Sequence, residues 1–371
     1  MSNTWSFMVN RVIKKISRRR LVNQSFIICH LLFCTALFVS CSLMKDERSD
    51  CPDCRNPLRV ILRYDYNTMR ANMFPDHVQE ATVYVVDPET NTVIDFQTSK
   101  NTAESKPLRE PSFGFNFEGL PGGQYRLFAS ARSAADATIT VPELGIAESI
   151  GSLTYSLPSS QPAQRLDTVW NTLQPVDIIL PEQEPVEATV RLMRLTNDLN
   201  VMIFRRDNPL DNGHERYEVS VTDENKQLGY ENEPTRNGSI IYHPFASWTT
   251  ETYVEDAPSA TRSTIAERNA HYDFSLFRLI NNSDSRHNPR LIIRNRETGH
   301  DIVNIDLCYY LSLARNAYEI QNYSPQEYLD REYDYRLDFG IEGSGPDETW
   351  KYMTISINVL SWAIRIQNED L

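Results

Sequence analysis

Apolar positions along this chain mostly recur every second residue. Leu58, Val60, Leu62, Tyr64 and Tyr66 alternate with Arg59, Arg63 and Asp65, the pattern of a strand buried on one face. The same period returns at 78–86, where Ala81, Val83 and Val85 share a face, and a new strand starts at 93–96 after turn residues at 87–91. Phe113, Phe115 and Phe117 alternate with Gly114, Asn116 and Glu118. Gly119-Leu120-Pro121-Gly122-Gly123 then turns the chain, and 124–131 returns with Tyr125, Leu127 and Ala129 inward. This predicts a hairpin, and its phrasing resembles a hairpin of transthyretin-like sandwiches. One or two strands follow at 168–180.

Beyond Pro181-Glu182-Gln183-Glu184-Pro185, Val186, Ala188, Val190 and Leu192 resume the alternation, and short strands are expected at 199–204, 217–221 and 239–242. The polar stretch 249–268 reads as an exposed loop. An apolar strand carrying Arg278 follows at 272–280. Leu291-Ile292-Ile293 and 302–305 flank Glu297-Thr298-Gly299 as a hairpin. The final strands hold Tyr333, Tyr335, Leu337 and Phe339, then Met353, Ile355, Ile357 and Val359, continued by Trp362, Ile364 and Ile366. Helical spacing is confined to Leu307, Leu311 and Ala314 and to the capping box Ser324-Pro325-Gln326-Glu327. About 14 strands with at most two short helices predict an all-β chain of two tandem β-sandwiches. The expected domains are 58–180 and 186–371, joined by a proline-stiffened linker at 181–185.

The first 57 residues follow neither period. Arg18-Arg19-Arg20 precedes an apolar segment at 26–39, then Ser40-Cys41-Ser42. These are the parts of a secretory signal that ends at a lipid-modified cysteine. The apolar segment is shorter than the roughly 20 residues a spanning helix needs, so 1–40 is expected to be a cleaved lipoprotein signal peptide. Cys41 is the candidate lipidation site, and two or three acyl chains there would anchor the protein stably. Lys45-Asp46-Glu47 resembles the signal that sends some lipoproteins to the outer face of the outer membrane. The span 41–57 reads as a polar tether.

Charge supports a lipid, rather than an electrostatic, attachment. The chain of 371 residues carries a net charge of -13. Six of its 37 basic residues and none of its 50 acidic ones lie in the first 40 positions, so the remainder holds 31 against 50, a net -19. Such a body repels nucleic acid and anionic bilayers alike.

Candidate chemistry is sparse. Beyond Cys41 only Cys51, Cys54 and Cys308 remain. Cys51-Pro52-Asp53-Cys54 lacks the second pair that zinc would need, and reads as a local disulfide or idle thiols. The carboxylates of 207–213 do not fit a calcium loop. His77, His214, His243, His271, His287 and His300 are scattered singly. There is no nucleophile elbow, zinc-protease, P-loop or dinucleotide-binding motif. No metal, cofactor or catalytic residue is therefore expected, nor an enzyme. Trp170, Trp248, Trp350 and Trp362 read as core or edge packing, with a sugar-stacking platform as the alternative.

Several segments, in order, carry a family resemblance. They are Asp50-Cys51-Pro52, Tyr64-Asp65-Tyr66, Phe74-Pro75, the strand 83–87, the pattern at 190–203, Gln326-Glu327-Tyr328-Leu329-Asp330-Arg331-Glu332 with the strand after it, and Ile355-Ser356-Ile357-Asn358-Val359-Leu360-Ser361-Trp362. Together these resemble the FimB-type fimbrial anchor lipoproteins. The resemblance implies two transthyretin-like sandwiches, an outer-membrane lipoprotein at the base of a fimbrium, and a fimbrial shaft subunit as partner. Shaft subunits of such systems are cut near the N-terminus, freeing a groove for a neighbour's strand. The expected contact is strand complementation at an open sheet edge, with this chain either accepting a strand or donating its own end at 352–366. The alternatives are a glycan-binding surface lipoprotein of a nutrient-uptake complex and a fimbrial tip or accessory subunit.

Overall fold

Strands form where alternation lets one face leave water, and their partners then decide the architecture. A computed structural model describes residues 57–133, 138–157, 163–182, 184–235, 238–255, 263–357 and 363–367. In the first half lie β1 (Leu58–Arg63), helix α1 (Phe74–His77), β2 (Glu80–Val86), β3 (Val93–Lys100), β4 (Phe115–Phe117), β5 (Gly123–Arg132), β6 (Thr154–Ser156), β7 (Val169–Thr172), β8 (Val176–Leu180) and β9 (Val186–Arg194).

These strands, β6 apart, make one sheet in the order β3-β2-β5-β7-β9-β1-β4, with β8 also on β5. The sheet folds over at β9, whose Val186–Arg191 stretch runs parallel to β1 and whose end pairs with β7. Two layers result. Leu58, Val60, Phe115 and Phe117 face Val83, Val85, Leu127 and Trp170 across a buried core. The free ends of the sheet meet where Gln97 Nε2 donates to Asn116 O at 2.6 Å, tying β3 to β4.

Two expectations are corrected here. The segments around Phe115 and Tyr125 do not form a hairpin: β4 pairs with β1, while β5 pairs with β2, β7 and β8. The Gly/Pro stretch between them carries the chain from one layer to the other, because both strands need their apolar faces in the same core. The strand at 186–194, expected to open the second domain, belongs to the first sheet. The change of sheet therefore falls after Arg194, not at 181–185.

The second half holds β10 (Thr196–Arg205), β11 (Tyr217–Asp223), β12 (Gln227–Gly229), β13 (Ile240–Tyr242), β14 (Ala246–Glu255), β15 (Ser263–Phe277), β16 (Arg290–Asn295), β17 (Asp301–Asp306), α2 (Leu307–Ser312), α3 (Ala317–Asn322), α4 (Pro325–Arg331), β18 (Asp334–Glu342), β19 (Thr349–Ile357) and β20 (Ala363–Gln367). A six-stranded sheet, β14-β15-β10-β18-β19-β20, packs on a four-stranded one, β13-β11-β16-β17. The stretch 249–268, expected as a loop, is instead largely strand. β14 and β15 pair from Ala246–Asp273 out to Glu255–Ser263, and β10 covers β15 only from Ala270 onward, so the rest, tied at Arg268 to Pro209 and Asn212, continues as a two-stranded ribbon.

The halves are not separate bodies. Asn56–Leu371 is one compact unit. Tyr84, Val86 and Phe128, on the outer face of the first sheet, join the second half's core through Ile150, Leu153 and Tyr155. β6 pairs with β12 across the same seam. No helix among the described residues is long and apolar enough to cross a membrane.

Candidate functional site

Cys41, Lys45, Asp46 and Glu47, like Cys51, Cys54 and Trp362, lie outside the described residues. Among those described, no group of three His, Cys, Asp or Glu side chains is placed to hold a metal. Cys308 is fully buried in α2, and burial pushes its thiol well above the ordinary range. Four histidines have local partners: His77 sits edge-on to Tyr64, His214 bonds Thr249, His271 bonds Thr250 and His287 bonds Glu224. Of the tryptophans, Trp170 is fully buried and Trp350 packs edge-on to Tyr310 and Phe339. Trp248 is 37% exposed, against the expectation of plain packing.

The geometry that bears on partner binding is at the two ends of the folded body. β1 is the first strand after 41–57, and it is an interior strand. It pairs with β9 from Leu58 to Arg63 and with β4 from Leu58 to Val60. Pro57 O accepts from Val186 N at 3.1 Å, and Arg59 reaches Glu187 at 3.3 Å and the Ser112 carbonyl. β20, the last described strand, lies at the sheet's edge and among the described residues pairs only with β19, through five residue pairs from Tyr352–Gln367 to Ser356–Ala363.

Between these ends, the segment 326–332 proves to be a clasp. Ser324 caps α4 by accepting from Glu327 N at 3.1 Å. Gln326 Nε2 donates to Leu279 O and to Asp330. Asp330 takes Arg278 in two parallel bonds of 2.7 and 2.9 Å, and Arg278 also donates to Asn232 O. Such a bidentate pair fixes direction as well as distance. Facing the first half, the Arg331 guanidinium lies 4.0 Å from the Tyr66 ring centre, and Thr68 donates to Arg331 O and to Glu332. Burial raises the Glu332 carboxyl above its usual value, while the N–H groups of Tyr333 and Asp334 oppose the rise. Alternation alone did not reveal this role, since most of the clasp residues are polar.

Solved structures share this fold. A proposed adhesin of Bacteroides thetaiotaomicron is 22% identical, with a TM-score of 0.68, covering 86% of this chain and 100% of its own. A proposed polysaccharide-binding protein of the same organism is 24% identical, with a TM-score of 0.64 over 86% and 100%. The fimbrial anchor protein Mfa2 of Porphyromonas gingivalis is 16% identical, with a TM-score of 0.58 over 84% and 99%. No curated protein matches the chain. The fold is thus that of the β-domain proteins of fimbriae and adhesins. Residues 48–368 match the model of the fimbrillin-A associated anchor proteins Mfa1 and Mfa2, and the chain belongs to that family.

Proposed function

We propose that this protein anchors a fimbrium to the outer membrane, held by lipid on Cys41 and lending its last strand to a fimbrial shaft subunit. The contrast between its two ends carries this reading. The slot between β9 and β4 is already filled by β1 and has no room for a neighbour's strand. β20 can leave without disturbing any pairing but its own. A groove opened in a shaft subunit would receive it through main-chain hydrogen bonds, with alternate side chains setting the register. On this reading the chain donates and the shaft accepts, and it acts as a binding protein without catalysing a reaction.

The tether fits the same role. Tension from a fimbrium would reach the bilayer through β1, whose hydrogen bonds run across to β9 along its whole length and load together in shear when the strand is pulled along its axis. Two or three acyl chains on Cys41 resist extraction where one would not. Lys45-Asp46-Glu47 would direct the protein to the outer face.

Replacing Cys41→Ala tests the anchor. The variant is expected in the aqueous phase of a detergent partition, with fimbriae shed into the medium; wild type should enter the detergent phase and keep its fimbriae. Fimbriae retained by cells carrying the lipid-free variant would overturn the reading.

A further inference from the structure

We propose that the outward face of the six-stranded sheet carries a site for a neutral saccharide, with Trp248 as its stacking platform. The site is a cleft of about 570 Å³ across β14, β15, β10 and β18. That volume lies within the roughly 300–1,000 Å³ typical of small-ligand sites. The alternation that turns Leu199, Val201, Tyr335 and Leu337 inward turns Asp198, Asn200, Asp334 and Arg336 outward. Trp248, His271 and Asp273 lie beside them.

The indole is held in place. It stacks flat on His271, with ring centres 5.1 Å apart and planes 6° apart, and His271 Nε2 is within 2.9 Å of Thr250 Oγ1. Burial and the nearby Arg336 lower the His271 pKa, while Asp338 and Asp273 oppose this. One face of the indole is thus braced by His271, and the partly exposed Trp248 is among the residues that line the cleft. A rigid aromatic surface next to polar side chains suits the C–H face of a sugar ring.

The charges around the cleft indicate a neutral ligand. Asp198 is held by Arg194 at 2.8 Å and Arg165 at 3.9 Å. Asp273 accepts from Asn200 Nδ2 at 2.7 Å, and Arg336 pairs with Asp338 at 2.8 Å. These carboxylates keep further lone pairs for hydroxyl donors, because an ionised carboxylate offers about four acceptor sites. A nucleotide could also stack on an indole, but its phosphates would meet a body of strong net negative charge. A polyhydroxylated ring with an apolar face fits both halves of the site. This binding is separate from strand donation, since the cleft lies across a sheet face and β20 lies at an edge.

The test is affinity electrophoresis of the full chain in mild detergent, through gels containing yeast mannan, dextran, xylan or galactomannan, with dextran sulfate as an anionic control. Wild type should be retarded by at least one neutral polymer. Trp248→Ala should weaken that retardation about tenfold, the scale of one lost aromatic contact. Asn200→Ala should weaken it several-fold, and both variants should keep fimbriae on cells. Should Trp248→Ala fail to fold, Asn200→Ala and quenching of tryptophan emission in wild type by the same polymer carry the test. No retardation by any neutral polymer, equal retardation of a folded variant, or retardation by dextran sulfate alone would overturn the site.

Discussion

Asp223 and Glu348 show two ways a buried carboxylate can be housed. Asp223, at the end of β11, is nearly enclosed, and burial lifts its pKa from 3.8 to about 7 against the N–H groups of Glu224 and Asn225. The folded state therefore holds a proton there that the unfolded chain releases near pH 4. The group's contribution to stability is fully present below pH 3.8 and is lost as pH rises toward 7. Asp223→Asn should shrink the fall in urea midpoint between pH 5 and pH 8; an unchanged difference would contradict this. Glu348 is equally buried but keeps company with charge. Arg205 reaches it at 2.5 Å, Arg216 at 3.2 Å and Asn295 at 2.5 Å. Removing one partner from a buried ion pair costs about 3–5 kcal/mol, so Glu348→Ala should lower the urea midpoint accordingly at constant m-value.

At the scale of elements, α4 joins the two halves. Asp330→Ala leaves the Arg278 guanidinium buried without its bidentate partner. Amide exchange should then quicken in α4 and around Tyr66 and Thr68, while the β16–β17 hairpin stays protected; uniform acceleration would mean a general loss of stability instead. Sequence pattern made some elements legible and hid others. Strands such as β11, whose residues alternate cleanly between buried and half-buried, announced themselves. The start of α4 was legible through Ser324, yet only half of its capping box forms, because Glu327 turns to Arg331. α3 was missed although Asn316 and Glu319 form a complete box. The β14–β15 ribbon was hidden because its described side chains at 249–253 and 266–269 include no buried one, and without burial there is no alternation to see. Its run of threonines, favoured in strands, was the one available signal. Strand partners were legible only across a short turn, as at Glu297-Thr298-Gly299 between β16 and β17. Nothing local in 186–194 says that it lies beside β1 rather than opening a new sheet.

At the scale of the whole molecule, charge, attachment and partner are linked. The acidic body gains nothing from an anionic bilayer, so on the proposed reading attachment would fall to Cys41, which the sequence indicates through local motif alone. In the same proposal partner binding would fall to sheet edges, which only the fold reveals, because edge status depends on where every other strand lies. Among the described residues the first strand, β1, is interior and the last, β20, is at an edge. Trp248 illustrates the same limit: it stands just before the stretch read as loop, and neither its place in a strand nor its exposure was visible in the sequence.

Donation of β20 is tested most directly by locking that strand in place. Thr354 and Arg365 are register partners on β19 and β20. Thr354→Cys with Arg365→Cys should bridge them when oxidised, provided the bridge is verified by mass. The locked protein should fail to capture the fimbrial shaft subunit and should capture it again after reduction. Equal capture in the oxidised and reduced states would contradict donation, since capture would then not require β20 to leave its sheet.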